Sequence, residues 1–428
     1  MTPNPKRSSL LNTATCLAIL AVCAACSRET PPPPATQTAD TAQPAAAGQP
    51  GEPLETREPN GKDFKPAFAG QTRIASLKSD FELDVSEVAK NVASGWGFEF
   101  LPDQRIIVTE RQGNIRIVGK DGQLSAPLKG LPKVFFEGQG GLLDVALDPQ
   151  FPNNRTLYWS YAEPRGDEGN GTALAKGVLS ADETSIEQVQ VIFRQMPTFK
   201  SNLHFGSRIV FTPDGKLFLT LGERSMPESR VHSQDLNSHF GKVVRLNLDG
   251  SVPADNPFVG RNDTKPEIWS YGHRNIQAAT LDGQGKLWTI EHGPRGGDEL
   301  NQPQPGKNYG WPVITYGIEY AGPKIGDGIT QKEGMEQPVY YWDPVIAPSG
   351  MIVYNGSMFP EWQGNIFVGG MASMKLVRLK LENDKVVGEE WLLRDRGRVR
   401  DVRQGPDGAI YVLLESGDGA IVRIARKS

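Results

Sequence analysis

The amino-acid sequence, 428 residues long, predicts an all-β fold: a six-bladed β-propeller preceded by a signal segment and a disordered tether. Six times, a turn rich in Pro, Asp and Gly precedes an apolar run of strand length, at intervals of 46 to 78 residues. Helical periodicity is nearly absent, and a repeated β unit of long, variable period is typical of a propeller. Two β-sandwiches are the alternative, but residues 90–425 contain no linker-like break in composition.

The first segment, residues 1–25, is predicted to be a secretory signal peptide. Two basic residues precede a mostly apolar stretch that ends at Ala25 and is too short to span a membrane. The run Val22–Cys26 resembles a bacterial lipoprotein cleavage box, with Cys23 where Leu is usual. We therefore expect an exported protein, either periplasmic or anchored to the outer membrane by a lipid on Cys26. Ordinary cleavage nearby is the alternative.

The second segment, residues 26–65, is predicted to be a disordered tether. It is rich in Pro, Ala and Thr, and it contains the runs Pro31–Pro34 and Ala45–Ala47. Such a composition buries too little apolar surface to offset the entropy that a chain loses on ordering. We therefore expect that residues 27–60 can be deleted without loss of folding.

The third segment, residues 66–428, is predicted to be the propeller. The apolar runs that follow the six turns are Arg105–Val108, Thr156–Trp159, Lys216–Leu219, Lys286–Thr289, Asn365–Val368 and Ala409–Val412. A propeller must close its ring, and Phe81–Val85 alternates like a strand before the first turn. We predict that this segment completes the last blade beside Ala420–Ile424.

Composition excludes several classes of site and partner. The three cysteines, Cys16, Cys23 and Cys26, all precede residue 27, so the propeller has no disulfide scaffold, cysteine zinc site, iron–sulfur centre or thiol nucleophile. The formal net charge of −4 provides no overall basic field for nucleic acid or anionic lipid. We therefore expect no nucleic-acid partner, and membrane association only through Cys26.

His204, one of five histidines, is a candidate general base. It precedes the apolar run Arg208–Phe211, in a loop of the kind that lines a propeller's central cavity. A neutral imidazole there can take a proton from a substrate hydroxyl near neutral pH. The alternative is a loop histidine whose nitrogens are satisfied by the protein itself, and position alone favours that alternative.

Two polar loops, Ser270–Asn275 and Glu291–Glu299, follow consecutive predicted strands. The second combines carboxylates with backbone carbonyls exposed by glycine turns, a mixture that suits a hard cation such as Ca²⁺. Zinc bound by His292 and Glu299 is a weaker hypothesis, because no second histidine lies at ligand spacing. A surface loop rich in turn residues is the remaining alternative.

An arginine cluster stands out in this acidic protein. Its members are Arg394, Arg396, Arg398, Arg400 and Arg403. Arg398 and Arg400 are two residues apart, so on an extended chain they face the same side. Two guanidinium groups on one face suit a ligand with several carboxylates or phosphates. The alternative is a solvated basic face paired with Asp395 and Asp401.

Six motifs occur together and in order. They are Glu137–Leu143, His204–Arg208, Gly272–Asn275, Glu291–Asn301, Asn308–Pro312 and Arg398–Val402. Together they resemble the soluble PQQ-dependent aldose sugar dehydrogenases, six-bladed propeller quinoproteins related to soluble glucose dehydrogenase and of the glucose/sorbosone dehydrogenase type. The resemblance extends from Gly95 to Ile424, and the run EHGPRGGDE is its most specific part.

The resemblance implies PQQ- and Ca²⁺-dependent oxidation of the C1 hydroxyl of aldose sugars to lactones, with an unidentified electron acceptor. His204 matches the general base, and Arg274 matches the residue that stabilises negative charge as hydride reaches the quinone. The PQQ contacts that it implies are Gln139, Arg274, Asn275, Tyr320, Gly370, Met371, Ala372, Arg398 and Arg400. The calcium ligands that it implies are the backbone carbonyls of Gly293 and Pro294, together with Glu299 and Tyr309.

One departure concerns a lysine that many members of this family carry where this chain has Ala372. Lys375 is a substitute if the loop is shifted; otherwise the contact is lost. Two further functions stay open, the first of them because of this departure. One is a non-catalytic propeller that binds a sugar or a protein, and the other is a calcium-dependent hydrolase of the lactonase type.

Overall fold

Six small antiparallel sheets form a ring in the computed structural model, which describes residues 51–427. The strands in chain order are β1 (Leu83–Val92), β2 (Gly95–Phe100), β3 (Ile106–Glu110), β4 (Asn114–Val118), β5 (Leu142–Leu147), β6 (Thr156–Pro164), β7 (Asn170–Leu179), β8 (Ile186–Arg194), β9 (Gly206–Phe211), β10 (Lys216–Leu221), β11 (Lys242–Asn247), β12 (Ile268–Tyr271), β13 (Ile276–Leu281), β14 (Leu287–Glu291), β15 (Asp298–Asn301), β16 (Tyr340–Trp342), β17 (Pro348–Val353), β18 (Ile366–Gly370), β19 (Lys375–Glu382), β20 (Lys385–Leu392), β21 (Arg398–Gln404), β22 (Ile410–Glu415) and β23 (Gly419–Arg426). Short helices are α1 (Phe151–Asn154) and α2 (Pro227–Arg230), with 3₁₀ turns at Gly166–Glu168, Val231–Gln234 and Pro360–Trp362.

The sheets are the blades of a six-bladed β-propeller, which confirms the predicted fold. The blades are β2–β4, β5–β8, β9–β12, β13–β16, β17–β20, and β21–β23 with β1. In each blade the first strand is innermost and contacts the first strands of the neighbouring blades. Each predicted turn joins the innermost strand of a blade to the second strand, which explains why the turns recur.

The ring closes through the N-terminal strand. β1 pairs antiparallel with β23, from Leu83 opposite Arg426 to Val92 opposite Gly419. The prediction that the segment before the first turn completes the last blade is confirmed, although the strand starts at Leu83 and reaches Val92. Because the last blade combines both ends of the propeller, opening the ring requires breaking a sheet.

Buried charges tie the innermost strands together at the centre of the ring. Nη1 of Arg208 lies 2.7 Å from Oδ1 of Asp144 and 3.1 Å from Oδ1 of Asp401. Its guanidinium lies over the Trp96 ring, 4.6 Å from the centroid. Removing one partner of such a buried pair costs about 3–5 kcal/mol, because the other charge is left uncompensated. The network therefore holds in register the strands whose first residues line the site described below.

Residues 51–80, which we call the N-terminal strap, pack against the propeller. Leu54 is buried in the core shared by the fourth and fifth blades. The carboxylate of Asp343 accepts hydrogen bonds from the backbone N–H groups of Asn60 and Gly61, at 2.9 and 2.8 Å, and from the Asn60 amide at 2.8 Å. These contacts fix the start of the strap over one edge of the ring.

The tether prediction is therefore wrong for residues 51–65, because their few apolar and amide side chains find partners that lie far away in sequence. Deleting residues 27–60 would remove Leu54 and Asn60 from these contacts. The signal segment, Cys26 and residues 26–50 lie outside the described residues. Within residues 51–427, no helix is long and apolar enough to cross a membrane.

Candidate functional site

The predicted site residues gather at one mouth of the central channel, which we call the site mouth. In an antiparallel hairpin, the start of one strand lies beside the end of the next. His204 and Asn275 lie just before the innermost strands β9 and β13, and Arg398 begins β21. Gly370 ends the second strand β18, and Gly293 follows the end of β14. The blade geometry thus brings together residues that are far apart in sequence.

His204 is held on several sides. Its backbone N–H donates to Oε1 of Gln139 at 2.9 Å, and its Nδ1 lies 3.1 Å from Oε1 of Glu223. The side chain is 6% exposed. Because a carboxylate faces Nδ1, that nitrogen carries the proton and Nε2 is left as the acceptor. The imidazole is therefore oriented as a base before any substrate arrives.

The electrostatic surroundings keep this imidazole neutral. Burial lowers the pKa of His204, and the charges of Arg274 and Arg224 act in the same direction, while Glu223 opposes them. Burial raises the pKa of Glu223, but its interactions with His204 and Arg274 outweigh that effect and leave the pKa below its usual value. The pair therefore consists of a neutral imidazole and an ionised carboxylate at neutral pH.

Arg274 and Asn275 occupy the turn between β12 and β13. Nη1 of Arg274 donates to the carbonyls of His292 at 2.9 Å and Gly293 at 2.7 Å, and its Nη2 lies 3.5 Å from the Tyr320 hydroxyl. The Asn275 amide oxygen accepts from the backbone N–H of Gly206 at 3.0 Å. The turn thus connects the His204 loop with the loop that follows β14.

Arg398 and Arg400 share one carboxylate, as expected for residues on the same side of a strand. Nη2 of Arg400 lies 2.8 Å from Oε2 of Glu415, and Nε of Arg398 lies 3.4 Å from the same oxygen. Arg400 is buried and also donates to the Gln277 amide oxygen at 3.0 Å, whereas Arg398 is half exposed and reaches the Met371 sulfur at 3.8 Å. Asp401 pairs with Arg208 and Arg403 instead, deeper in the channel.

A chain of contacts through His292 and Gln277 joins Arg274 to Arg400. The ring of His292 approaches the Gln277 amide oxygen at 3.2 Å, and Arg400 donates to that same oxygen at 3.0 Å. Burial lowers the pKa of His292 well below its usual value, and the neighbouring Arg274, His204 and Arg400 act in the same direction. Arg274, His204 and Arg400 therefore surround one neutral histidine.

Three donors at the site mouth have no hydrogen-bond partner within residues 51–427 although they are buried: Nε of Arg274, Nδ2 of Asn275 and Nε of Arg400. A buried donor without an acceptor costs about 1–3 kcal/mol, more where it is charged. PQQ, the group implied by the resemblance, carries three carboxylates. An anion rich in oxygen acceptors fits both this donor set and its positive charge.

Gly293 and Pro294 form the start of the glycine-rich loop after β14. The loop closes on itself, because the Gly293 N–H donates to Oδ1 of Asp298 at 2.8 Å. Burial raises the pKa of Asp298 to about 7, against the opposing effect of its backbone hydrogen bonds. The Gly293 carbonyl already accepts from Arg274, and its second lone pair leaves room for a cation.

Glu299 lies opposite Glu291 in the β14–β15 pair, and two like charges in direct opposition are unfavourable. Burial, followed by the charge of Glu291, raises the pKa of Glu299 well above its usual value. Asn301 donates to both carboxyl groups, at 3.0 and 3.3 Å, and its own buried amide oxygen has no partner within residues 51–427. This excess of oxygen acceptors suits a cation.

Tyr309 cannot offer its hydroxyl to such a cation. The hydroxyl donates to the carbonyl of Gln302 at 2.7 Å and accepts from the N–H of Gln304 at 3.0 Å. The tyrosine ring instead stacks on His273, with 4.7 Å between centroids. Its backbone carbonyl is therefore the oxygen that a metal could use. Within residues 51–427, no group of three or more His, Asp or Glu side chains is placed to hold a metal ion without backbone help.

Gly370 ends β18, and the turn that follows carries Met371 and Ala372. The N–H groups of Met371 and Ala372 donate to the carbonyls of Ala347 and Ile346, at 2.9 and 3.1 Å. Lys375, the candidate substitute for the missing lysine, has its ammonium 3.2 Å from the centroid of the Trp391 ring.

Burial lowers the pKa of Lys375 to about 8, while the nearby Glu55 of the strap opposes that effect. The ammonium therefore lies against Trp391 and the strap, and Lys375 is not placed beside Arg398 and Arg400.

Sequence reasoning did not identify which acidic side chains partner the histidines and arginines of the site. Glu223, Glu291 and Glu415 hold His204, His273 and the arginine pair, respectively. Each lies at or just past the end of the second strand of its blade, as Glu110 does in the first blade. A glutamate follows the apolar run after the turn in five of the six blades, all but the fifth, and this recurrence was the signal that could have identified them.

Comparisons with known proteins agree with this geometry. Residues 92–423 match the Glucose / Sorbosone dehydrogenase family. The chain is 44% identical over 337 residues to the aldose sugar dehydrogenase YliI of Escherichia coli K12, covering 78% of this chain and 90% of that one. The apo crystal structure of the soluble E. coli aldose sugar dehydrogenase superposes with a TM-score of 0.78 at 42% identity, over 81% of this chain and 100% of that one.

A second solved structure was determined with a cofactor. The PQQ-bound aldose sugar dehydrogenase of Streptomyces coelicolor superposes with a TM-score of 0.67 at 26% identity, over 82% of this chain and all of that one. The family match covers most of the propeller, from Val92 at the end of β1 into the last strand β23. The chain therefore belongs to the glucose/sorbosone dehydrogenase family, as its motifs predict.

Proposed function

We propose that this protein oxidises the C1 hydroxyl of aldose sugars to lactones, with PQQ and Ca²⁺ bound at the site mouth. Membership of a family that includes an aldose sugar dehydrogenase supports sugar oxidation. The observation that carries the proposal is the His204–Glu223 pair beside Arg274, at a mouth where Nε of Arg274 and Nε of Arg400 are buried without a partner within residues 51–427.

His204 is the general base of the proposed reaction. Nε2 takes the proton of the C1 hydroxyl, while Nδ1 stays bonded to Glu223. The imidazolium that forms is stabilised by the Glu223 carboxylate, which remains ionised because its pKa lies below the usual value. The Gln139 amide oxygen holds the backbone of His204, so the base keeps its position during proton transfer.

The cationic side chains of the site mouth are proposed to hold the cofactor. When bound, PQQ supplies the two-electron acceptor for the hydride that leaves C1. Arg398 and Arg400 provide charge for its carboxylates, and Arg400 keeps Nε free for an acceptor. Arg274 and Asn275 each offer one further unpartnered donor on the side nearer His204. Tyr320, Met371 and Ala372 are proposed to border the same space.

Calcium is proposed to bind beside the glycine-rich loop. When bound, Ca²⁺ supplies a Lewis acid for the carbonyl that accepts hydride. The carbonyls of Gly293 and Pro294 and the carboxyl of Glu299 are the proposed ligands, with Tyr309 contributing its backbone carbonyl. The raised pKa of Glu299 supports this assignment, because a nearby dication would relieve the opposition between Glu299 and Glu291.

Dye reduction by purified protein, reconstituted with PQQ and Ca²⁺ and supplied with a panel of aldoses, tests the function. We expect turnover that depends on PQQ and is lost on chelation of Ca²⁺. Folded protein that binds PQQ in calorimetry but turns over no aldose would contradict the proposal and favour a binding propeller. Hydrolysis of lactones without PQQ would instead favour the lactonase-type alternative.

We also propose that the protein is exported and attached to the outer membrane by a lipid on Cys26. The basic residues, the apolar stretch and the box Val22–Cys26 support this. Ser27 rather than Asp follows the cysteine, which supports the outer membrane as destination.

A further inference from the structure

Arg224 is an unusual residue beside the proposed base, because its guanidinium is buried and bonded almost entirely to main-chain oxygens. It follows Glu223 directly and has a left-handed backbone, with φ of 74°. Nη1 donates to the carbonyls of Leu203 and His204, at 2.7 and 3.2 Å, and Nη2 donates to the carbonyl of Ser201 at 2.6 Å. Three carbonyls of the loop that carries His204 thus converge on one side chain.

Two further contacts fix the guanidinium, one of them from outside this loop. Nη2 also donates to the amide oxygen of Asn170, the first residue of β7 in the neighbouring blade. The plane of the guanidinium lies over the Phe205 ring, 3.7 Å from the centroid. Arg224 therefore connects the His204 loop to the second blade, and the planar fork of arginine is needed to reach all of these oxygens at once.

Burying this charge is unfavourable in itself. Burial lowers the pKa of Arg224 to about 9, despite the opposing charge of Glu223. Without Arg224, the carbonyls of Ser201, Leu203 and His204 would lose these hydrogen bonds, and backbone bonds within a sheet would not replace them. His204 itself has a left-handed backbone, with φ of 49°. A costly buried cation that restrains a strained loop points to a requirement for precise placement of the residue on that loop.

The same dipeptide restrains both parts of His204. Glu223 holds the ring at Nδ1, and Arg224 holds the carbonyl of the main chain. Gly222 completes the arrangement, because a Cβ there would lie 2.1 Å from the His204 carbonyl oxygen. We infer that Arg224 is a positioning residue that fixes the direction of His204 Nε2, an inference that rests on the proposed function of His204 as base.

The main test compares Arg224→Met and Arg224→Lys with the wild type, each loaded with PQQ and Ca²⁺. We expect Arg224→Met to lower kcat by about 10²-fold with KM nearly unchanged, because misplacement by about 1 Å has an effect of this size. Arg224→Lys keeps the charge but loses the fork, so it should recover only part of the rate. PQQ affinity should stay within a factor of about 3 in both.

A matched control separates positioning from stability. Arg378 is also buried and bonded to side chains, Glu390 and Asn365, but it lies in the fifth blade away from His204. Arg378→Lys should lower the Tm while leaving kcat at the wild-type value. If Arg378→Lys lowers kcat as much as Arg224→Lys does, or if folded Arg224→Met keeps the wild-type kcat, the inference is overturned.

A second readout needs no turnover, so it separates failure of this inference from failure of the proposed function. The pKa of His204 is measured from its ¹³Cε1 resonance in protein without PQQ, assigned by its loss in His204→Gln. The charged or titratable groups that face the ring are Glu223, Arg224, Arg274 and His292.

Arg224→Lys keeps the charge but loses the fork, so the contact of His204 with Glu223 should loosen and the pKa of His204 should fall. Arg224→Met also loses the charge that lowers this pKa, so the pKa of His204 should be higher in Arg224→Met than in Arg224→Lys. A wild-type pKa in Arg224→Lys would contradict the inference even if no aldose is oxidised.

Discussion

At the scale of single residues, the site is prepared before a ligand arrives. His204 has its backbone N–H, its carbonyl and its Nδ1 all bonded within the protein, so proton transfer needs little reorganisation. The arginines are likewise fixed by Glu415 and by main-chain carbonyls. Within residues 51–427, three buried donors of the site stay without a partner, and such donors suit an anionic ligand.

The acid side of the pH–rate profile follows from the surroundings of His204. Burial lowers its pKa, so the neutral base persists below pH about 6.5, where an exposed histidine would take a proton. Glu223 raises that pKa, so Glu223→Gln should move the acid limb of kcat/KM to lower pH. It should also reduce kcat by about 10²-fold, because the imidazolium loses its carboxylate.

The measurement is kcat/KM against pH for the wild type and Glu223→Gln, with the exposed Glu228→Gln as a control that should change neither value. Movement of the acid limb to higher pH in Glu223→Gln would contradict this reading of the electrostatics.

Arg400 should contribute directly to cofactor affinity. Replacing it with Gln removes a buried charge and an unpartnered donor, so we expect PQQ to bind about 10- to 100-fold more weakly. Fluorescence titration of the apo protein measures this. Arg396→Gln, an exposed residue of the same stretch, is the control and should bind PQQ like the wild type. If both variants lose the same PQQ affinity, the arginines act through their overall positive charge, and Arg400 makes no specific contact with PQQ.

At the scale of elements, the glycine-rich loop rests on the N-terminal strap. Asp343 accepts three hydrogen bonds from Asn60 and Gly61, and its carboxylate lies so close to Gly296 that a Cβ there would be 2.5 Å away. Arg295 of the same loop donates to the Asn60 side chain at 2.9 Å. The strap is therefore part of the wall that shapes the loop carrying Gly293 and Pro294.

Removing the Asp343 carboxylate should destabilise the folded protein. Asp343→Ala leaves three donors without their acceptor, and we expect the free energy of unfolding to fall by about 2–3 kcal/mol. Asp63→Ala removes only an exposed ion pair with Lys324, and it should change the free energy of unfolding by less than about 1 kcal/mol. Chemical denaturation of both variants measures the difference. Similar losses would mean that the strap is not held through Asp343.

The same elements show what the sequence could and could not predict. The turns and the closing segment Phe81–Val85 carry local patterns, so the blades and the ring closure followed from them. The start of the strap carries no periodic apolar pattern, because Leu54 stands alone among polar residues and prolines. Asn60 is held by Asp343, which lies 283 positions away in sequence. Composition therefore indicated a tether where tertiary contacts order the chain.

The candidate site was predictable to a similar extent. His204 and the Arg398–Arg400 pair stand out by residue type and spacing. Glu223 does not, because it meets His204 only through the β9–β10 hairpin. The orientation of the Lys375 side chain could not be predicted either, because its ammonium lies on the ring of Trp391 in the neighbouring strand β20.

At the scale of the whole molecule, the ring explains why residues from five blades can act together. The innermost strands meet around Arg208, Asp144 and Asp401, and their first residues open onto the site mouth. Insertions between outer strands lengthen the chain without disturbing this centre. The arginines at one mouth provide local positive charge in a protein whose formal net charge is −4.

Attachment to a membrane is a property of the whole chain. If Cys26 carries a lipid, the full-length native protein should partition into detergent, and Cys26→Ser should move it to the aqueous phase. Two acyl chains are enough for stable anchoring, whereas the propeller alone supplies no apolar span within residues 51–427. Phase separation of both proteins measures this. Aqueous partitioning of the wild type would contradict the lipid anchor.

The most direct test of the central claim is single-turnover reduction of bound PQQ by an aldose, followed by absorbance in a stopped-flow instrument. The wild type and His204→Gln are both loaded with PQQ and Ca²⁺, and equal loading is verified by titration. We predict rapid reduction in the wild type, and at least about 10²-fold slower reduction in His204→Gln with unchanged PQQ affinity. Equal rates in the two proteins, or no reduction by any aldose in the wild type, would contradict the account.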